Sequence, residues 1–139
     1  MDWYTSAAKK LLDNDYDFNA DTIKVSIHTS SYTYSAAHDF FDDITNEVSG
    51  TNYSAGGSTL ANKSTSAADP SVADADDISI TQSGSGFSNG RNLVIYKSTG
   101  VSSTSPLICR FGATADFGNV SGALTIQWAA TGILRADLQ

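Results

Sequence analysis

Cysteine is almost absent from this 139-residue sequence: Cys109 stands alone. One thiol permits no intramolecular disulfide, and no cysteine-based metal site can be assembled within a single chain. Basic residues are also scarce, with 8 Lys and Arg against 15 Asp and Glu, which leaves a net charge of −7. Phosphate backbones require clustered Lys and Arg, so this balance argues against nucleic acid and, for the same reason, against anionic membranes. It suits a soluble surface, or one that meets a basic partner. Long apolar runs are missing as well, which excludes a membrane-spanning helix. The opening Met1-Asp-Trp-Tyr has neither a basic segment nor an apolar stretch, so no signal peptide is expected. The sequons at Asn52, Asn62 and Asn119 then carry no meaning, and the expectation is a soluble protein made in a cytoplasm.

What fills the chain is Ser, Thr, Asn and Gly, since charged residues make up only 17%. That mixture favours strands and turns over helices. The length fits one domain over residues 1–139, with an N-terminal arm and helix in 1–20. Thr5 to Leu12 reads as the one helix, where Ala8, Leu11 and Leu12 form an apolar stripe at i, i+3, i+4 spacing. Thr22 to Thr29 alternates as a strand, with Ile23, Val25 and Ile27 on one side and Lys24, Ser26 and His28 on the other. Asp39 to Asp43 suggests one helical turn, and Ile44 to Val48 and Ser58 to Thr65 suggest short strands. The acidic, alanine-rich stretch from Ser66 to Asp77 reads as a loop. Further strands are expected at Asp77 to Gln82, Pro106 to Phe111, Ala123 to Trp128, and Thr131 to Arg135. Leu93-Val-Ile-Tyr96 is apolar on both faces, which predicts a central strand covered twice. The second cover should be the Ala8-Leu11-Leu12 stripe or a neighbouring subunit. The count of seven to eight short strands and one short helix predicts a mainly β fold, an antiparallel sandwich or a barrel-like domain.

The candidates for chemistry are few. Asp13, Asp15 and Asp17 have the first three spacings of a calcium loop, but Phe18 stands where glycine is needed and Lys24 where glutamate is needed. Asp39, Asp42, Asp43 and Glu47 cluster closely enough for paired-carboxylate chemistry, which needs burial that the sequence does not supply. The simpler reading is a wet acidic turn that meets basic groups on a partner. His28 and His38 accompany many serines, yet no Gly-x-Ser-x-Gly elbow is present, so nucleophilic catalysis is not expected. Gly56-Gly57 and Gly84-Ser-Gly86 lack the strand–helix context and the lysine of a phosphate loop. Tyr4, Tyr32, Tyr34 and Tyr53 suit an interface or, less favoured, sugar stacking. No catalytic residue, cofactor or metal is expected.

Several segments together resemble a family of small tailed-bacteriophage virion structural proteins. They are Trp3-Tyr-Thr-Ser, Asp21-Thr-Ile-Lys-Val-Ser-Ile-His-Thr-Ser-Ser-Tyr-Thr33 and the stretch from His38 to Gly57. The likeness resumes at Asp76-Asp77, Val94-Ile-Tyr-Lys97, Ser105-Pro-Leu-Ile108 and Thr125-Ile-Gln-Trp-x-x-Thr-Gly-Ile-Leu134. Ser66 to Ala75 and Gly112 to Gly122 lie outside it. The resemblance implies a capsid cement or decoration protein that sits on the head as a homotrimer and binds the major capsid protein. A tail or head–tail connector role is the alternative, and a carbohydrate-binding module on the virion a more distant one. The expected contact residues are Trp3, Tyr4, Asp39, Asp42, Asp43 and Glu47.

Overall fold

The computed structural model of the chain describes residues 1–67 and 70–136. In chain order the elements are β1 (Asp2–Trp3), α1 (Thr5–Leu12), β2 (Ile23–Thr29), β3 (Ser58–Thr59), β4 (Ser64–Ser66), β5 (Ser71–Asp74), β6 (Ile78–Ile80), β7 (Gly90–Lys97), β8 (Leu107–Phe117), β9 (Leu124–Ile126) and β10 (Leu134–Ala136). Strand outweighs helix, 36% against 11%, so the mainly β expectation holds. The strands form three antiparallel sheets: a five-stranded one in the order β1-β8-β7-β2-β3, a three-stranded one, β10-β5-β4, and the pair β6-β9. No closed barrel forms among the described residues.

β7 is the middle strand of the large sheet, as its unbroken apolar run requires. Val94 and Ile95 are both fully buried, although neighbouring side chains on a strand point to opposite faces. Register separates those faces. Val25 pairs with Ile95 and Ile95 with Cys109, while Ile27 pairs with Leu93 and Leu93 with Phe111. These residues make one face wholly apolar. Ser26 pairs with Val94 and Val94 with Arg110, while His28 pairs with Asn92 and Lys24 with Tyr96, so the opposite face is largely polar.

The small sheets cover the apolar face. Trp128, just beyond β9, packs its ring against Phe111, and Val72 and Ala73 of β5 with Leu134 of β10 share a cavity with Ile23. The polar face is covered by the irregular chain between β2 and β3. Phe41 stacks on Tyr96 at 4.3 Å between ring centroids, and Tyr32 and Phe41 both lie against His28.

This arrangement corrects the expected cover. Leu11 and Leu12 are 54% and 87% exposed, and Ala7 is the buried helical residue. The start of the helix sets that rotation: the Tyr4 amide donates to the Ile108 carbonyl and the Thr5 amide to Ala36. Periodicity reveals an apolar stripe without saying which element it meets.

Other expectations shift in similar ways. Ser58 to Thr65 contributes to two different sheets through β3 and β4. The stretch read as an acidic loop contains β5, held between β4 and β10. Gly112 to Gly122, outside the expected strands, begins as the far half of β8, where the register slips between Gly90 and Asn92. Ile44 to Val48 gives only a single bridge, Glu47 to His28. The helical turn expected at Asp39 to Asp43 is a 3-10 turn over Phe41–Asp43.

Candidate functional site

The residue types that invite a chemical reading converge where the chain from Ser30 to Gly57 crosses the polar face. Antiparallel pairing of β2 with β7 sets Ser26 and His28 on that face. The His28 Nδ1–H donates to the Thr45 carbonyl at 2.8 Å, which leaves Nε2 to accept from the Ser26 hydroxyl at 2.9 Å. His28 lies on the polar side of its strand, as alternation placed it, and that side is covered here, since the residue is 1% exposed. Burial lowers the pKa of the imidazole against the opposing pull of the Thr45 carbonyl and Glu47. Serine and histidine therefore stand in hydrogen-bond contact, but no substrate can reach a hydroxyl that is fully buried.

Asn92 and Arg110 continue the network. The guanidinium donates through Nε and Nη2 to Asn92 Oδ1 and pairs through Nη1 with Asp2 at 2.6 Å. Asn92 in turn donates to the Thr29 carbonyl. On the helix side, the Tyr4 hydroxyl meets that of Tyr32 at 2.9 Å, and Tyr32 meets His38 Nδ1 at 3.3 Å. Burial raises the Tyr4 pKa, and the bond to Tyr32 raises it further, so both hydroxyls act as neutral hydrogen-bonding groups.

Glu47 organises the far end. Its Oε1 accepts from the Tyr53 hydroxyl at 2.6 Å and from the Gly56 amide at 2.7 Å. The Tyr53 hydroxyl also accepts from the Ile27 amide, so it ties the loop to β2. Gly57 has φ near +76°, and a Cβ there would lie 1.9 Å from the Val25 carbonyl oxygen; only glycine lets the chain return this closely beside β2.

Beside this carboxylate lies a shallow, mixed-polarity cavity of about 410 Å³, lined by Lys24, Phe41, Glu47, Tyr96, Ser98 and Ser102 among others. The Lys24 ammonium has no hydrogen-bond or ion-pair partner among the described residues. The Tyr96 hydroxyl donates to the Gly56 carbonyl, and burial, helped by the Glu47 charge, pushes its pKa up to about 12. It is a donor here and no base. The cavity offers an ammonium, a carboxylate and hydroxyls to a small polar solute, with no activated nucleophile. Among the described residues no three or more His, Cys, Asp or Glu are arranged to hold a metal ion. In the calcium-like segment, Asp13 pairs with Lys9, and Asp17 Oδ1 accepts from the Asn19 and Ala20 amides.

The expected contact residues separate. Tyr4 is fully buried and belongs to the core, which corrects its assignment to a contact surface. Trp3 is 36% exposed. Asp39 pairs with Lys10. Asp43 accepts from the Asp39 and Phe40 amides at 2.7 and 3.0 Å and so holds its own turn. Glu47 is spent on Tyr53 and Gly56, and Asp42 is exposed. The acidic turn is thus largely a self-capping device. Tyr32, Tyr34 and Tyr53, named for sugar stacking, are not exposed: Tyr32 is 5% accessible, Tyr34 donates to the Trp3 carbonyl and Tyr53 to Glu47. Lys24, Tyr96, Ser98 and Ser102 were not read as site residues from the sequence. The one available signal was a lone lysine on the strand face otherwise occupied by Ser26 and His28.

Compared with known proteins, the chain matches no family model and finds no significant match among curated proteins or solved structures.

Proposed function

We propose that the chain is a non-enzymatic structural protein of a tailed-bacteriophage virion, a decoration protein that binds the major capsid protein as a homotrimer and stabilises the head. The observation that carries this reading is how the reactive groups are used. Ser26, His28, Glu47 and Tyr53 are tied to one another, to backbone or to core across the polar face. That is how a framework uses polar side chains, and it leaves recognition to the surface. Trp3, Asp42 and Asp43 are the expected contact residues that remain exposed, although the Asp43 carboxylate also holds its own turn. The acidic balance of the chain, −7 overall, favours a basic seam as the partner. The sequence resemblance supplies the virion setting.

The test is to heat particles assembled with and without the protein. Particles that lack it should release their contents at lower temperature and survive osmotic shock poorly. Equal stability of the two preparations contradicts the cementing role.

A further inference from the structure

Along the polar face, Ser26, His28, Asn92, Arg110 and Tyr96 are all bonded within the chain. Lys24, on the same side of β2 and opposite Tyr96, is the exception. Among the described residues its ammonium is the one Lys or Arg group left without a partner. Lys63 donates to the Asp21 carbonyl, Arg135 is engaged too, and the other five face carboxylates. With 15 acids to 8 bases the chain has carboxylates to spare, yet this half-buried lysine meets none. Loss of water around a charge is costly unless a partner offsets it.

The ammonium lines the cavity of about 410 Å³ beside Glu47, a volume within the range of small-molecule sites. Gly56 keeps the space next to it clear. A Cβ there would lie 3.3 Å from Lys24 Nζ and 3.1 Å from the Tyr96 hydroxyl. The Ser98 and Ser102 hydroxyls on the same wall also have no partner among the described residues. Glu47 takes two donors on Oε1, so its charge is met while Oε2 remains an acceptor. Phe41 and Val101 add apolar surface. The cavity thus holds one unmet positive charge, two uncommitted hydroxyls and one acceptor oxygen.

Those groups discriminate between ligands. A neutral sugar leaves the ammonium without a counter-charge. A phosphate dianion brings a second negative charge beside Glu47. A fatty acid satisfies Lys24 but sets methylenes against the hydroxyls and Glu47. A monocarboxylate that also carries hydroxyls meets every group, with its anion on Lys24 and its hydroxyls on Ser98, Ser102 and Glu47. We propose that this cavity binds a hydroxylated monocarboxylate of the hexuronate class, with Lys24 as the anion contact. The inference goes beyond the virion reading and does not depend on it.

The experiment titrates the full chain, labelled with nitrogen-15, with glucuronate at neutral pH and follows the backbone amides. Glucose, acetate, inorganic phosphate and free serine are the comparisons. Glucuronate should shift the amides of Gly56 and of Gly100 to Ser102, and should bind at least about tenfold more tightly than each comparison. Lys24→Met should weaken glucuronate by about tenfold or more, the size of a lost charge-assisted hydrogen bond, and leave glucose unchanged. Ser102→Ala should weaken it by roughly threefold, as for a neutral hydrogen bond. Ser102 is exposed, so this variant should fold as the parent does and carries the test should Lys24→Met unfold. The proposal is overturned if glucuronate shifts no amide around the cavity, or if any comparison binds as tightly. It is likewise overturned if folded Lys24→Met, or Ser102→Ala, leaves the affinity for glucuronate unchanged.

Discussion

The two faces of the large sheet solve the same problem by opposite means. On one, Ile23, Val25, Ile27, Ile95 and Cys109 present only apolar surface, and small sheets assembled from distant strands cover it. On the other, Ser26, His28, Asn92 and Arg110 are covered by a long irregular loop, and their polar atoms have named partners. An apolar face constrains its cover by volume alone, and here the cover leaves a cavity of about 440 Å³. A polar face constrains its cover group by group, since each unpaired buried donor or acceptor costs about 1–3 kcal/mol. The polar face therefore looks like a catalytic centre and acts as a specified framework.

Substitutions on each face sharpen that contrast. The largest effect is expected at Ile95, fully buried at the centre of the apolar face. Ile95→Ala should lower the unfolding free energy in denaturant by about 2–5 kcal/mol, through lost burial and a residual cavity. On the polar face, Glu47→Ala strips the Tyr53 hydroxyl and the Gly56 amide of their acceptor. A loss of about 1–3 kcal/mol is expected, and Glu47→Gln, which keeps a carbonyl oxygen, should recover part of it.

A pH titration addresses the polar face alone. The folded pKa of His28 is lowered by burial. Its contribution is therefore fully present above the unfolded value of about 6.5 and is lost as pH falls from there through the folded value. Unfolding measured from pH 7 down to 5.5 should show stability declining by at most about 1.4 kcal/mol per pH unit from this group, and His28→Gln should flatten that limb. The smallest effect is expected at the helix. Leu11→Ala should change stability by no more than about 0.5 kcal/mol, because the side chain is 54% exposed. A cost of several kcal/mol there would restore the helix as a cover and break the comparison.

The parts of this architecture legible in the sequence were those set by local pattern. The helix, the alternation of β2 and the double-sided burial of β7 each follow from residue spacing. Ile78 and Ile80 are buried with Ser79 exposed between them, as alternation requires. Long-range choices were not legible. The chain from Ser30 to Gly57 has no period, so nothing in its spacing announced that Phe41 would stack on Tyr96 or that Glu47 would hold Tyr53. β5 was hidden because Ser71-Val-Ala-Asp74 is short and lies in an acidic, alanine-rich stretch, and one of its two partners, β10, lies far along the chain. The candidate site suffered most. A serine, two histidines and a run of carboxylates carry the same letters whether they serve chemistry or hold a loop, and only burial and pairing separate the two.

The central claim is that the Ser30 to Gly57 loop is an integral cover, and native-state hydrogen exchange tests it most directly. The Val48 amide donates to Ile27, the Thr29 amide to Asn46 and the Gly57 amide to Ser54. If the loop is framework, Thr29 and Val48 should exchange only through global unfolding, with the same opening free energy as Ile95 at the centre of the sheet. A loop that opens by itself, with those two amides exchanging several kcal/mol more easily than Ile95, would make it a lid and contradict the account.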